Sequence, residues 1–94
     1  MWLTIRQVDG QTTTLEISQP VVVGRDAAND VVLVDDKVSR RHAQLSPAPD
    51  GGVRMQDLGS TNGTFVNGVR LSRPRKLAAG DLVRVGETDL RFEA

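Results

Sequence analysis

The sequence predicts an all-β domain, either a sandwich or a barrel, and three observations support that class. Apolar and polar residues alternate along most of the chain with a period of two, as they do in strands that have one buried face. Turn-forming residues interrupt this pattern every few positions, which is typical of many short strands. No segment has the apolar spacing of an amphipathic helix of useful length.

The first half of the chain contains six candidate strands. They are residues 2–8, 12–17, 21–23, 31–34, 42–45 and 53–56. Asp9-Gly10 separates the first two and predicts a hairpin, because glycine readily adopts positive φ. The third follows Pro20 as a run of three valines, which indicates a buried strand. The segment 46–52, rich in Pro and Gly, is predicted to be a flexible surface loop.

The second half contains four further candidate strands. They are residues 64–66, 69–71, 82–85 and 89–92, and Lys76-Leu77 leads into a turn at 79–81. Asn67-Gly68 predicts a two-residue type I′ hairpin turn. Gly86-Glu87-Thr88 is the expected turn before the last strand. We expect residues 1–94 to form one domain, either cut from a longer chain or acting as a very small adaptor.

Composition excludes several classes of function. Twelve basic and twelve acidic residues cancel, so no bulk charge draws the chain to nucleic acid or to a membrane surface, and any anion site must be local. The absence of cysteine excludes disulfides, thiolate catalysis and cysteine-ligated zinc. A charge as early as Arg6 argues against a signal peptide, and no apolar run has membrane-spanning length. The expected location is therefore cytoplasmic.

Three polar clusters stand out because each lies where an apolar strand begins or ends. They are Gly24-Arg25, residues 39–42 (Ser-Arg-Arg-His) and residues 58–64 (Leu-Gly-Ser-Thr-Asn-Gly-Thr). Glycines, arginines, hydroxyls and an amide are the components of an anion pocket built on loops. Loops on a rigid β scaffold are also where binding function is usually found.

The first two clusters offer cationic and hydroxyl donors. Arg25 has a planar guanidinium that matches phosphate bidentately, although a lone Gly-Arg pair is usually only a surface arginine. Ser39 adds a hydroxyl, and Arg40 and Arg41 add charge in a loop whose N–H groups can form a nest around an anion. Taken alone, Ser-Arg-Arg is equally compatible with a kinase recognition site or a solvated turn.

His42 is the only histidine and the one residue that suggests catalysis. A catalytic histidine needs a nucleophile and an orienting carboxylate. Ser39 lies three residues away without a nucleophile-elbow pattern, and no third member is visible. We therefore expect His42 to form hydrogen bonds with backbone groups and to hold two loops together. We predict no catalytic residue, no metal site and no cofactor.

The third cluster places Ser60, Thr61 and Asn62 between the hinges Gly59 and Gly63. It is not a P-loop, because the Lys-Ser/Thr pair and the following helix are absent. A side-chain amide such as that of Asn62 can grip an extended peptide backbone, because it both donates and accepts. An ordinary Asx turn is the alternative.

Together these residues closely resemble the forkhead-associated (FHA) domain, a reader of phosphothreonine in partner proteins. The resemblance rests on the order and spacing of four blocks, which lie within residues 24–68, about half of the chain. They are Gly24-Arg25, Asn29-Asp30-Val31, residues 39–43 and residues 57–68. It implies a twisted β-sandwich of about ten or eleven strands with the binding loops at one end.

The resemblance also implies roles for individual residues. Arg25 and Ser39 would hold the phosphate, and Arg40 stands where the family often adds a phosphate contact, through either side chain or backbone. Thr61 would shape the slot for the γ-methyl group, and Asn62 would bond the peptide main chain. Lys37 falls where the family often selects the third residue after the phosphothreonine, although Asp35 and Asp36 stand beside it. Gly24, His42, Gly59 and Gly63 are expected to support the loops.

The resemblance implies a signalling module and not an enzyme. Its expected partner is a phosphothreonine-containing protein, itself a substrate of a Ser/Thr kinase. We expect the module to bind neither nucleic acid nor a membrane. The alternative is phosphate-independent docking or self-association on the same scaffold. Self-association through a phosphorylated Thr12-Thr13-Thr14 is conceivable, but such threonines are usually plain β structure.

Overall fold

The computed structural model describes residues 1–93, which form two packed β-sheets. The eleven strands are β1 (Trp2–Arg6), β2 (Thr12–Glu16), β3 (Val21–Gly24), β4 (Val31–Val32), β5 (Ala43–Pro47), β6 (Val53–Asp57), β7 (Thr64–Val66), β8 (Val69–Arg70), β9 (Arg75–Leu77), β10 (Leu82–Val85) and β11 (Thr88–Glu93). The predicted all-β sandwich of ten or eleven strands is confirmed. Within residues 1–93, no helix long and apolar enough to cross a membrane is found.

The two sheets have mixed chain order, so that sequence neighbours often lie in different sheets. The six-stranded sheet has the order β2-β1-β11-β10-β7-β8, and the five-stranded sheet has the order β4-β3-β5-β6-β9. Strand pairing is antiparallel except between β3 and β4, which run parallel. The eleven strands change sheet at four connections, and the one between β6 and β7 carries the third polar cluster.

The core comes from the alternate residues that each sheet turns inward, as the period of two predicts. Leu3 and Ile5 of β1 and Leu90 and Phe92 of β11 are at most 1% exposed, and Phe92 is the largest fully buried side chain. The five-stranded sheet contributes the other wall with Ala43, Leu45, Val53 and Met55, all buried. All four residues of β3 are buried, as predicted from its run of three valines.

Two predicted strands in the five-stranded sheet have wrong boundaries. Strand β5 does not end at Leu45; it continues to Pro47, which pairs with Val53 across the hairpin. The predicted strand 31–34 is only two residues long, since the amide of Val34 bonds to the side chain of Gln7 and not to a strand. Gln7 also donates from Nε2 to the carbonyl of Val32 at 3.0 Å.

The turns of the six-stranded sheet follow their sequence signals in part. Asn67 has φ of 51° and Gly68 has φ of 83°, as a type I′ turn requires at both central positions. Thr88, predicted to belong to the last turn, instead begins β11 and pairs with Val85. Its hydroxyl donates to the buried carboxylate of Asp35 at 2.9 Å.

Candidate functional site

The three polar clusters meet in one open pocket of about 460 Å³. Its lining residues are Arg25, Asp36, Lys37, Val38, Ser39, Arg40, Arg41, Thr61 and Asn62. Six of these are the binding residues and the specificity candidate selected from the sequence. Of the four expected loop-supporting residues, Gly24, His42 and Gly63 are buried and Gly59 is exposed.

Arg25 is fixed by the loop that carries Ser39. Its backbone N–H donates to the Ser39 carbonyl at 3.1 Å, and its Nε donates to the Val38 carbonyl at 3.1 Å. Within residues 1–93, its two Nη groups bond to no other residue, and the side chain is exposed at the pocket. The backbone N–H and Nε of Arg25 are thus used within the protein, and the hydrogens of its two Nη groups are not.

Ser39 connects two of the loops. Its Oγ accepts a hydrogen bond from the backbone N–H of Thr61 at 3.0 Å. Its own backbone N–H donates to Nδ1 of His42 at 3.0 Å. Because the hydroxyl oxygen is used as an acceptor, the hydroxyl hydrogen remains available for a ligand oxygen.

His42 is fully buried, and both of its ring nitrogens have backbone partners. Nδ1 accepts from Ser39 and is therefore unprotonated, so Nε2 carries the hydrogen and donates to the Gly63 carbonyl at 2.9 Å. The ring links the second loop to the third. With both nitrogens occupied away from the pocket, His42 is not placed to abstract a proton from a ligand.

Gly24 lies where two loops approach each other closely. A Cβ at this position would overlap the carbonyl oxygen of Arg40 and would lie 2.7 Å from Nδ2 of Asn29. Asn29 Nδ2 donates to that same carbonyl, as does the backbone N–H of Asp26 at 3.2 Å. The Arg40 backbone thus anchors the β3–β4 loop, while the Arg40 side chain lines the pocket.

The third loop is held by the amide of Asn62 and by its two glycines. Asn62 lines the pocket, and its Nδ2 donates to the Lys37 carbonyl at 2.8 Å. Gly59 has φ of 79° and Gly63 has φ of 89°, values that L side chains rarely adopt. A Cβ on Gly63 would also meet the guanidinium of Arg70.

Asp57 is a supporting residue to which the sequence reasoning gave no role. Its carboxylate accepts from the Gly59 and Ser60 backbone N–H groups at 3.0 and 2.9 Å and from the Ser60 and Thr64 hydroxyls at 2.5 and 2.7 Å. Burial raises the pKa of Asp57, but the hydrogen bonds outweigh it and leave this pKa below its ordinary value. The sequence signal that could have revealed this role is an aspartate three residues before a serine at the start of a loop.

Asp35 is a second such residue, and it joins distant segments. Its buried carboxylate accepts from the backbone N–H of Lys37 at 3.0 Å, the backbone N–H of Glu87 at 2.7 Å and the hydroxyl of Thr88 at 2.9 Å. Burial raises the pKa of Asp35, and the hydrogen bonds outweigh that effect, so the pKa is lowered overall. No local sequence signal connects positions 35 and 87.

The family model described as FHA domain matches residues 21–86, which span all the loops described above. The chain belongs to the FHA domain family. A FHA domain-containing protein, FhaB of Mycolicibacterium smegmatis, is 42% identical over 71 residues, which cover 76% of this chain and 45% of that protein. The chain thus spans less than half of this relative's length.

Solved FHA structures share the whole fold. One, from work on phosphothreonine-dependent FHA domain interactions, is 31% identical with a TM-score of 0.79 and covers 100% of this chain and 99% of that one. Mycobacterium tuberculosis EmbR, in complex with a low affinity phosphopeptide, is 27% identical with a TM-score of 0.81. That match covers 98% of this chain and 24% of EmbR.

Membership of the family establishes a coarse function for this FHA domain. The family consists of binding modules, several of which recognise phosphorylated peptides, and not of enzymes. The contacts around Ser39 and His42 show how one buried ring and one hydroxyl keep three loops of this FHA domain together.

Proposed function

We propose that this FHA domain binds phosphothreonine-containing segments of partner proteins in the pocket between its loops. The observation that supports this most is the pairing of Arg25 and Ser39. Their backbones are hydrogen-bonded to each other, while the Arg25 Nη groups and the Ser39 hydroxyl hydrogen remain for a ligand. Two neighbouring donors of this kind suit the three acceptor oxygens of a phosphate.

The local charge of the pocket favours the same ligand. Four lining residues are cationic (Arg25, Lys37, Arg40 and Arg41), against one acidic residue, Asp36. The chain as a whole has a formal net charge of zero, so this excess is local and is balanced by acidic residues elsewhere. A phosphothreonine with nearly two negative charges at neutral pH is attracted to such a site at short range.

The remaining lining groups fit the peptide part of the ligand. Oδ1 of Asn62 can accept from a main-chain N–H of an extended peptide, while Nδ2 stays bonded to Lys37. Thr61 adjoins Ser39 and would shape the slot for the γ-methyl group of the threonine. EmbR, which shares the fold, is solved in complex with a low affinity phosphopeptide, and this supports a phosphopeptide as the class of ligand.

The partner follows from the chemistry of the ligand. Phosphothreonine in proteins is made by Ser/Thr kinases that use ATP, so the partner would be a kinase substrate and the encounter would take place in the cytoplasm. The domain would then act in signalling by bringing a phosphorylated protein to whatever chain the domain belongs to.

Isothermal titration with a matched pair of peptides, one phosphorylated on threonine and one not, tests the proposal. We expect saturable binding of the phosphorylated peptide alone. Equal binding of both peptides would favour phosphate-independent docking. A partner captured from cells and then treated with phosphatase gives the same comparison with a natural ligand.

A further inference from the structure

An ion pair lies at the edge of the pocket and joins two segments that are far apart in sequence. Lys37 Nζ lies 2.7 Å from Oε1 of Glu87, and the two side chains are 63% and 52% exposed. Lys37 lines the pocket, whereas Glu87 belongs to the turn between β10 and β11. Neither Asp35 nor Asp36, the acidic neighbours in sequence, forms this pair.

The backbones of both partners are held by one buried carboxylate. Asp35 accepts from the N–H of Lys37 through Oδ1 at 3.0 Å and from the N–H of Glu87 through Oδ2 at 2.7 Å. Gly86 packs so closely that a Cβ there would lie 2.8 Å from Oδ2 of Asp35. The two side chains therefore start from fixed neighbouring positions, and their contact follows from the fold.

Among the charged groups near Lys37, Glu87 acts on it most strongly. Glu87 raises the pKa of Lys37 through its hydrogen bond and its charge, Asp35 raises it further, and Arg84 opposes them. Lys37 is thus fully charged at neutral pH, and Glu87 is the group with which it interacts most strongly. An acidic side chain of a ligand would meet a lysine that already has a carboxylate partner.

We propose that Glu87 is a specificity-determining residue of this pocket, which competes with acidic ligand side chains for Lys37 and thereby weakens selection for acidic residues beside the phosphothreonine. The inference rests on the proposed phosphothreonine function. It concerns a residue of the β10–β11 turn, outside the three loop clusters.

The physical reason is that Lys37 has a carboxylate partner both before and after an acidic ligand side chain binds. When an aspartate of the ligand reaches Lys37, one carboxylate replaces another, and the net gain is small. Without the Glu87 charge, the same aspartate gains a full exposed ion pair. Exposed ion pairs change an equilibrium by up to about fivefold, which sets the size of the expected effect.

The experiment compares Asp with Asn at each of the four positions on either side of phosphothreonine in an otherwise uncharged eleven-residue peptide. Fluorescence anisotropy gives the Kd of each peptide for the wild-type domain and for Glu87→Gln, which keeps the backbone bond to Asp35. We expect the Asn-to-Asp ratio of Kd to stay near one in the wild type. In Glu87→Gln it should rise about two- to fivefold at one or two adjacent positions.

Glu16→Gln is the matched control, because it removes the same charge at the other end of the six-stranded sheet. Glu16 pairs with Trp2 at the start of β1, whereas Arg6 at its end pairs with Asp89 near the turn. This control should leave every ratio unchanged. The double variant Lys37→Gln, Glu87→Gln should lose the selectivity that Glu87→Gln gained.

The outcomes separate the two hypotheses. If the phosphopeptides bind but no ratio changes in Glu87→Gln, the role of Glu87 is overturned and the phosphothreonine function stands. An equal change in Glu16→Gln would also overturn it, because net charge would then be the cause. Failure of the wild-type domain to bind any of the phosphopeptides would overturn both.

Discussion

The hydroxyl oxygen of Ser39 accepts a hydrogen bond from the backbone N–H of Thr61 at 3.0 Å, across 22 positions of sequence. This contact joins the second polar cluster to the third directly at the pocket. Together with the Asn62 bond to the Lys37 carbonyl, it holds the two loops in place before any ligand binds. A ligand therefore meets loops that are already ordered, which reduces the entropy cost of binding.

Arg25→Ala should weaken phosphopeptide binding at least tenfold, because charge-assisted hydrogen bonds contribute about 1.5–3 kcal/mol each. Titration calorimetry measures the loss, and thermal unfolding checks that the fold persists. Arg91→Ala is the control, since Arg91 is exposed on β11, away from the pocket lining. Unchanged affinity in Arg25→Ala would contradict the phosphate-binding role of Arg25.

A phosphothreonine peptide should bind about fourfold or more tightly than the matched phosphoserine peptide. The reason is the γ-methyl group, since burial of one methyl-sized group contributes about 0.8 kcal/mol. The two peptides are compared in the same titration on the same protein. Equal dissociation constants would refute the methyl slot beside Thr61 while leaving the phosphate contacts untouched.

His42→Ala should lower the free energy of unfolding by about 3 kcal/mol or more, because it opens a buried cavity and leaves the Ser39 N–H and the Gly63 carbonyl unpaired. Urea unfolding measures this change. His42→Phe fills most of the space without the hydrogen bonds and should also be destabilised. Wild-type stability in His42→Phe would show that the ring acts by packing alone.

Gly24→Ala should destabilise the domain by about 1–3 kcal/mol, because the new methyl would overlap the Arg40 carbonyl. Gly52→Ala is the matched control: its Cβ would meet the aliphatic end of the flexible Lys76 side chain. Urea midpoints of the two variants are compared with the wild type. If both variants had the urea midpoint of the wild type, the β3–β4 loop would be able to move aside without loss of stability.

Acid should act on binding and on stability in different pH ranges. Phosphopeptide affinity should fall below about pH 6, where the second phosphate proton binds. Asp57 and Asp35 have lowered pKa values in the folded state, so their stabilisation is complete above the ordinary value of 3.8 and is lost as pH falls through the folded values.

Urea unfolding at pH 7 and at pH 3, alongside peptide titrations from pH 7 to pH 5, checks both ranges. Asp57→Asn should show a smaller loss of stability between pH 7 and pH 3 than the wild type, because one titrating group is removed. An identical loss in the two proteins would mean that Asp57 does not contribute to the acid sensitivity.

Much of the fold was predictable because its information is local. Alternation marks the inward residues of β1 and β11, and Asn67-Gly68 specifies its own turn through positive φ. The site clusters were equally visible, since each places hydrogen-bond donors at a strand end, and the first and third add glycine. These features depend on residues within one short window.

The remaining features depend on contacts between distant segments. Asp35 meets Glu87 and Thr88 more than fifty positions away, and Glu87 meets Lys37 across 50 positions. Such pairings arise only when the two sheets bring β10–β11 beside the β4–β5 loop. The same reason explains why Val34 leaves its predicted strand, because its partner is the side chain of Gln7.

That Gln7 contact has a consequence for self-association of the folded chain. A carboxamide that donates to the carbonyl of Val32 and accepts from the N–H of Val34 imitates the hydrogen bonds of an adjacent strand. Since β4 lies at the end of its sheet, those backbone groups would otherwise be a template for another molecule. The Gln7 side chain thus occupies backbone groups at the edge of this sheet that could otherwise pair with a strand of a second molecule. The exposed side chains of Val32 and Val34 would favour such pairing.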